Sequence, residues 1–171
     1  MLCEGSQRVL ENRERLEILL EDARGLGVTD LFVQVYRGGR AWFDSSLADV
    51  GPYGSTWRPR EDTSRPGEDT SRDAFSLLIE RAHGQGLRVQ AWVNVLSLAS
   101  NADARILRDL GTGAAAVDQK GRSFLDYPLF EVPEPDRRYY RMGTPAVWLD
   151  PAASGVSDRL AATFAELVAR Y

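Results

Sequence analysis

Cysteine and histidine are almost absent from this chain: Cys3 and His83 are its only examples of each. A single cysteine leaves no internal disulfide, and a thiolate zinc cluster is excluded. One His and one Cys so far apart in sequence speak against a zinc site, while an all-oxygen metal site stays open. Long hydrophobic runs are missing too, and none approaches the roughly 18 residues a membrane helix needs. The opening MLCEGSQRVL lacks the charged, then apolar, then small-residue order of a signal peptide, so the compartment stays open. Nor is there an excess of positive charge. Twenty-five acidic residues against 21 basic ones give a net charge of −4, with no electrostatic case for nucleic acid or anionic lipid. The phosphate-cradling GxGxxG and GxxxxGK[ST] patterns and the GxSxG elbow are absent, so no cofactor is expected.

What remains is 171 residues, 43% of them apolar, which suits one globular domain. Residues from Ser6 to Gly25 read as an amphipathic helix, with Leu16, Leu19, Leu20, Ala23 and Leu26 recurring at helical spacing. Leu31 to Tyr36 (LFVQVY) reads as a strand. A helix from Asp73 to His83 follows, with Asp73 as N-cap and His83 in a C-terminal capping position. Arg88 to Val95 (RVQAWVNV) is a second strand, and a short helix spans Asp103 to Leu110. Val156, Leu160, Phe164, Leu167, Val168 and Tyr171 trace a last amphipathic helix. The segment EDTSR occurs at Glu61–Arg65 and again at Glu68–Arg72, around Pro66 and Gly67, and reads as a polar loop.

Two patterns bear on function. Connections into the strands are short, whereas those leaving them are long: Arg37 to Arg72, and Ser97 to Asp150. In parallel α/β sheets the loops leaving strands lie at the carboxyl edge, where enzyme sites are built. The strands also divide by parity. Leu31, Val33 and Val35, like Val89, Ala91, Val93 and Val95, form aliphatic faces for helices to cover. Phe32, Gln34 and Tyr36, like Gln90, Trp92 and Asn94, form mixed faces of amides and aromatics. Helices over the first set would leave the second lining a barrel interior, and two strands joined through a helix suit a parallel pair. The expected fold class is therefore α/β, a partial TIM (β/α)8-type barrel with parallel strands and long loops after them.

The segments LFVQVYRGGRAWFDSSL, DAFSLLIERAHGQGLRVQAWVNV and WLDPAASGVSDRLAATFAELV, taken in order, resemble the bacterial glycoside hydrolases called glycosyl-hydrolase-like family ten. That family shows a "QVR"-like strand end, an "EEAHKRGLEVHAWLN"-like segment and an "LNP" before a helix. The matching residues are Gln34-Val35-Tyr36-Arg37, Glu80 through Asn94, and Leu149-Asp150-Pro151, and Met1 to Glu4 would be the tail of a first strand. The resemblance implies a TIM-type barrel and a carbohydrate substrate. It also implies that residues 1–171 are the N-terminal part of one such domain, because family members continue into a "DGIHLDYIRYP"-like strand whose Asp is the candidate catalytic acid. The expected function is the N-terminal portion of a glycoside hydrolase acting on a bacterial or environmental polysaccharide, in a secreted or envelope protein. The alternative is a non-catalytic carbohydrate-binding or structural module. The chain alone is expected to lack hydrolase activity and to associate into homo-oligomers through exposed strand edges.

Glycoside hydrolysis needs two carboxyl groups across the scissile bond. Glu4, Asp44, Asp118, Asp126 and Asp150 stand near strand ends, and Glu4 is the weak catalytic candidate among them. Asp150, before Pro151, also suits a helix cap, and Asp44 a loop acceptor. Gln34, Tyr36, Arg37, Trp92 and Asn94 are the candidate substrate-binding residues: amides and Arg can bond sugar hydroxyls, and aromatic rings can stack on sugar rings. The same residues also fit core packing or a salt bridge. Trp42, Phe43, Tyr53 and Trp57 crowd the first long loop, where they would either roof a cleft or form the loop's own small core. If the parity argument holds, the two strands are adjacent and parallel, with Val33, Val35, Val89 and Val93 beneath helices.

Overall fold

The computed structural model describes residues 1–4, 7–57, 73–127, 133–137 and 146–171. The EDTSR repeats lie outside the described residues. The chain opens with β1 (Leu2–Cys3), and a left-handed Arg8 (φ 52°) leads into a 3-10 turn at Val9–Glu11. Asn12 then caps α1 (Arg13–Gly25), its side chain accepting a hydrogen bond from the Arg15 N–H at 3.2 Å. The helix therefore starts later than its charge pattern predicts, because the turn uses the preceding residues to lead out of β1. Leu16, Leu19, Leu20 and Ala23 are buried as expected, but Leu26, just past the helix end, is exposed.

β2 (Asp30–Arg37) is the central strand. It pairs in parallel with β1 on one side and with β4 (Arg88–Val93) on the other. Between β2 and β4 the chain forms β3 (Arg40–Ala41), α2 (Gly51–Gly54) and α3 (Ala74–Gly84). Asp73 caps α3 by accepting from the Ser76 N–H at 2.9 Å. The strand starts are pinned by a two-pronged pair in which Arg88 Nε and Nη2 donate to the two oxygens of Asp30, each at 2.7 Å. Leu31, Val33 and Val35 are buried under α1 and α3 in one core, with Leu16, Leu20, Phe75, Leu78 and Ala82, and Val89 and Val93 pack against it. The expected adjacent parallel pair is present.

The barrel expectation is overturned. The main sheet is open and mixed: β3 runs antiparallel to β2, with Tyr36 opposite Ala41 and Arg37 opposite Arg40. A second sheet is separate and antiparallel, made of β5 (Ser97–Ala99) and β6 (Val147–Trp148). No closed barrel forms among the described residues. The reason lies in the second long connection. It contains α4 (Arg105–Leu110), the two strands of the second sheet and the short helix α5 (Glu134–Arg137), and it builds its own core of Leu98, Ile106, Leu107, Ala114, Phe124, Val147 and Leu149. Strands of two or three residues carry too little periodicity to announce themselves in sequence.

The last helix, α6 (Val156–Arg170), joins the two cores. Val156 and Leu160 belong to the second, Leu167 to the first, and Phe164 packs against both. Val168, placed on the apolar face by its spacing, is exposed. The turn between β2 and β3 also joins the cores. Gly38 (φ 62°) and Gly39 (φ 75°) are both left-handed, as a two-residue type I′ hairpin requires. The Gly38 carbonyl accepts from Asn101 Nδ2 at 2.7 Å. A Cβ added at Gly39 would stand 3.0 Å from Ala104 Cβ and 3.2 Å from Leu98 Cδ2. This contact separates backbone cost from packing cost. Gly27 is also left-handed, at φ 65°, but has nothing within 4 Å of an added Cβ. Both Gly→Ala changes carry the left-handed penalty of roughly 1–2 kcal/mol. Gly39→Ala is expected to cost at least about 1 kcal/mol more from overpacking, read from urea denaturation midpoints.

Candidate functional site

The expected site lay at the carboxyl ends of β2 and β4. In the register, Phe32 stands opposite Gln90 and Gln34 opposite Trp92, so these four side chains share the face away from the helices. Leu2 of β1, opposite Phe32, extends that row. Among the described residues no helix covers the row: Phe32 is 43% exposed, Leu2 is 62% exposed, Gln90 is exposed and Trp92 is half-buried. At the carboxyl end the face closes. Gln34 is only 3% exposed and lines a small cavity with Cys3, Glu4, Arg8, Val9, Leu10 and Trp42. Its space of about 10 Å³ holds at most a water, so it cannot take a sugar ring. Gln34 is not left without a partner, as burial of its amide demands.

Tyr36 goes the other way. The ladder slips between Gln34 and Tyr36, so Val35 is an extra residue and Tyr36 pairs with Val93 instead of continuing the alternation. Its ring is 3% exposed and meets Phe164 of α6 edge-on, with centroids 5.2 Å apart. Burial, with a smaller contribution from the Asp49 charge, pushes its hydroxyl up to about 12. Asn94 is half-buried, and its N–H donates to the Tyr36 carbonyl at 2.9 Å, extending the ladder one step. Arg37 is exposed at the hairpin. The structure thus groups Gln34 with Trp92 and Glu4, and separates Tyr36 from them.

Glu4 is exposed, and its N–H donates to Gln7 Oε1 at 3.1 Å. The other carboxylates near strand ends serve local bonds. Asp126 reaches back to the Ser123 N–H in a capping box, and Asp118 accepts from the Lys120 and Arg122 N–H groups. Asp150 accepts from the Ala152 N–H at 2.9 Å in a turn ahead of α6 and does not cap the helix, whose N-cap is Gly155. The aromatic loop residues disperse. Phe43 is fully buried in the main core, Trp57 lies beneath the Arg13 guanidinium at the start of α1, and Tyr53 bonds Arg170. Trp42 alone sits over Gln34. Among the described residues no group of three or more His, Cys, Asp or Glu side chains could hold a metal ion. No helix among them is long and apolar enough to cross a membrane.

A second polar constellation was not anticipated. The end of α6 meets the segment after β3 along an open groove of about 520 Å³ lined by Asp44, Ser45, Ser46, Glu166, Ala169 and Arg170. Ser45 and Ser46 donate through their hydroxyls to the two oxygens of Glu166, each at 2.5 Å. Arg170 donates to Asp44 at 3.1 Å and to the Tyr53 hydroxyl at 3.1 Å, and pairs with Asp73 at 3.5 Å. The Tyr171 hydroxyl donates to Asp73 as well. These partners lie about 100 residues or more apart in sequence, with no local pattern to reveal them. Each charged group here is bonded within the protein, so the groove reads as a tie between elements. No protein-family model and no curated protein matches this chain.

The tie has a pH signature. Burial acts to raise the Glu166 carboxyl, but the Ser45 and Ser46 hydroxyl bonds and the backbone N–H bonds together hold it below its ordinary value of 4.5. A carboxyl depressed in the folded state contributes stability above its unfolded value, and that stability is lost as pH falls through the folded value. Glu166→Gln is therefore expected to lower the melting temperature near pH 7 and to make the acid-side loss below about pH 4.5 shallower than in the parent. Thermal melts from pH 3 to 7 check this, and parallel acid limbs for the two proteins would refute it.

Proposed function

We propose that this chain is the carbohydrate-contacting part of a glycoside-hydrolase-like protein, binding a glycan across the face of its main sheet turned away from α1 and α3. One observation carries the reading: Leu2, Phe32, Gln90 and Trp92 stand in register on that face, and all are at least partly open to solvent. Large apolar side chains left in water mark contact sites when they cluster. Alternating rings and amides match the chemistry of a sugar, whose C–H faces stack on aromatics and whose hydroxyls bond amides. The resemblance of the AHGQGLRVQAWVN segment to glycosyl-hydrolase-like family ten supports the same substrate class.

A binding role is better supported than a hydrolytic one. Glu4 is the carboxylate placed at the edge of this face, whereas Asp44, Asp118, Asp126 and Asp150 are engaged in ion pairs, caps and turns. A hydrolytic pair needs a second carboxyl about 5–9.5 Å from the first. Calorimetric titration with neutral oligosaccharides beside thermal melts tests the proposal. Phe32→Ala and Trp92→Ala are expected to weaken binding by roughly tenfold each, the loss of one good stacking contact. Phe32→Ala should leave the melting temperature within a few degrees of the parent, because Phe32 already stands in solvent. If both variants bind like the parent, the face is not the site. If Trp92→Ala unfolds the chain while Phe32→Ala binds normally, the indole is a packing residue.

A further inference from the structure

Two arginines oppose each other at the tip of the β2–β3 hairpin. Arg37 and Arg40 are partners in the ladder, and directly opposed residues project on the same face. Like charges so placed repel. Both residues are exposed, and among the described residues neither guanidinium takes part in a hydrogen bond or an ion pair. The nearest carboxylate in the ladder, on Asp49 bridged to Arg40, is occupied. Its Oδ1 accepts from Arg108 Nη2 at 3.0 Å and its Oδ2 from the Arg105 N–H at 3.2 Å. The hairpin backbone holds the two positions opposite each other. Gly38 is bonded by Asn101, and Gly39 is packed against Ala104 and Leu98.

Two guanidiniums on facing positions, neither bonded among the described residues, can both turn toward one anion. We propose that Arg37 and Arg40 form a two-guanidinium clamp for the carboxylate of an acidic sugar, a uronate unit in a glycan lying along the sheet. The proposal rests on the carbohydrate reading above and narrows it. A guanidinium fork matches a planar carboxylate with two parallel hydrogen bonds, which a neutral hydroxymethyl group at the same ring position cannot return. Arg37 lies five residues beyond Phe32 on the same strand, roughly 16 Å at strand rise, a span of a few sugar rings. A glycan stacked at Phe32 and Trp92 would cross the closed stretch at Gln34 to reach the clamp.

The test titrates the full chain with trigalacturonate, with the matching neutral galactotriose, and with acetate and phosphate, all at one ionic strength. The acidic trisaccharide is expected to bind at least roughly tenfold tighter than the neutral one. That preference should vanish in Arg37→Gln and in Arg40→Gln, with neutral binding unchanged in Arg40→Gln. Arg40→Glu should abolish it and also raise the melting temperature, since a cross-strand attraction then replaces a repulsion. Equal binding of both trisaccharides overturns the clamp and leaves the carbohydrate reading standing. Arginine-dependent binding of acetate or phosphate with neither sugar bound overturns the uronate assignment and the carbohydrate reading together. A lowered melting temperature in Arg40→Glu overturns the premise that the pair is strained, and marks these arginines as structural.

Discussion

The extra residue in β2 governs how the two halves of this protein meet. Up to Gln34 the strand alternates strictly, aliphatic side chains to the helices and mixed ones away. At Val35 the ladder slips, and Tyr36 falls on the side of Val93 and the helices. A bulge also bends its strand and sharpens the local twist. The consequence is visible two residues later, where the hairpin carries Gly38 and Gly39 onto Leu98 and Ala104 of the second core. Tyr36 meanwhile reaches Phe164, the α6 residue shared by both cores. Without the slip, a tyrosine would stand in the open face and the hairpin would aim elsewhere.

Helix α6 depends on that geometry. Its apolar stripe binds both cores, and its last turn is fastened by polar side chains: Glu166 to Ser45 and Ser46, Arg170 to Asp44 and Tyr53, Tyr171 to Asp73. Asp73 does two jobs, since its other oxygen caps α3. One carboxylate therefore links the start of α3 to the end of α6. Phe75, on the first turn of α3, adds an edge-on contact with Tyr171 at 4.9 Å. Apolar burial sets which face of α6 points inward, and the polar bonds fix its position along its axis.

The legible part of this fold was the part written in regular periods. Alternation in LFVQV told which side chains lie under helices, and in RVQAWV it held for Val89 and Val93 but not for Ala91, which is exposed, while Leu16, Leu20, Phe75 and Leu78 at helical spacing named the helix faces that cover them. Alternation failed at Tyr36, because a bulge leaves no mark in the residue types around it. The Arg37–Arg40 turn was legible in principle. Two glycines between strand residues are a hairpin signal, and Gly38-Gly39 carries it. The barrel expectation failed for a larger reason. It treated Ser97 to Asp150 as a loop decorating a site, whereas Leu98, Ile106, Phe124, Val147 and Leu149 are enough buried apolar residues to build a core. An apolar residue every several positions has no period, and only the tertiary structure shows what it packs on.

The sheet face turned away from α1 and α3 is where the fold gives up apolar burial. Burying Phe32 and Leu2 would be favourable at about 25 cal/mol per Å² of apolar surface, yet both stay in water. β4 adds to the exposure, since it pairs with β2 alone and no strand among the described residues occupies its outer edge. Such an edge invites association, and here it carries the restraint that natural sheets use. Arg88, exposed at its start and fixed to Asp30, places a charge at the edge, and Gln90 keeps the middle of the strand polar. The aromatic rings are set further in, at Phe32 and Trp92, flanked by amides. A surface arranged this way disfavours a purely apolar partner, which would strand the amides without bonds. It favours a ligand that offers apolar patches and hydroxyls in alternation.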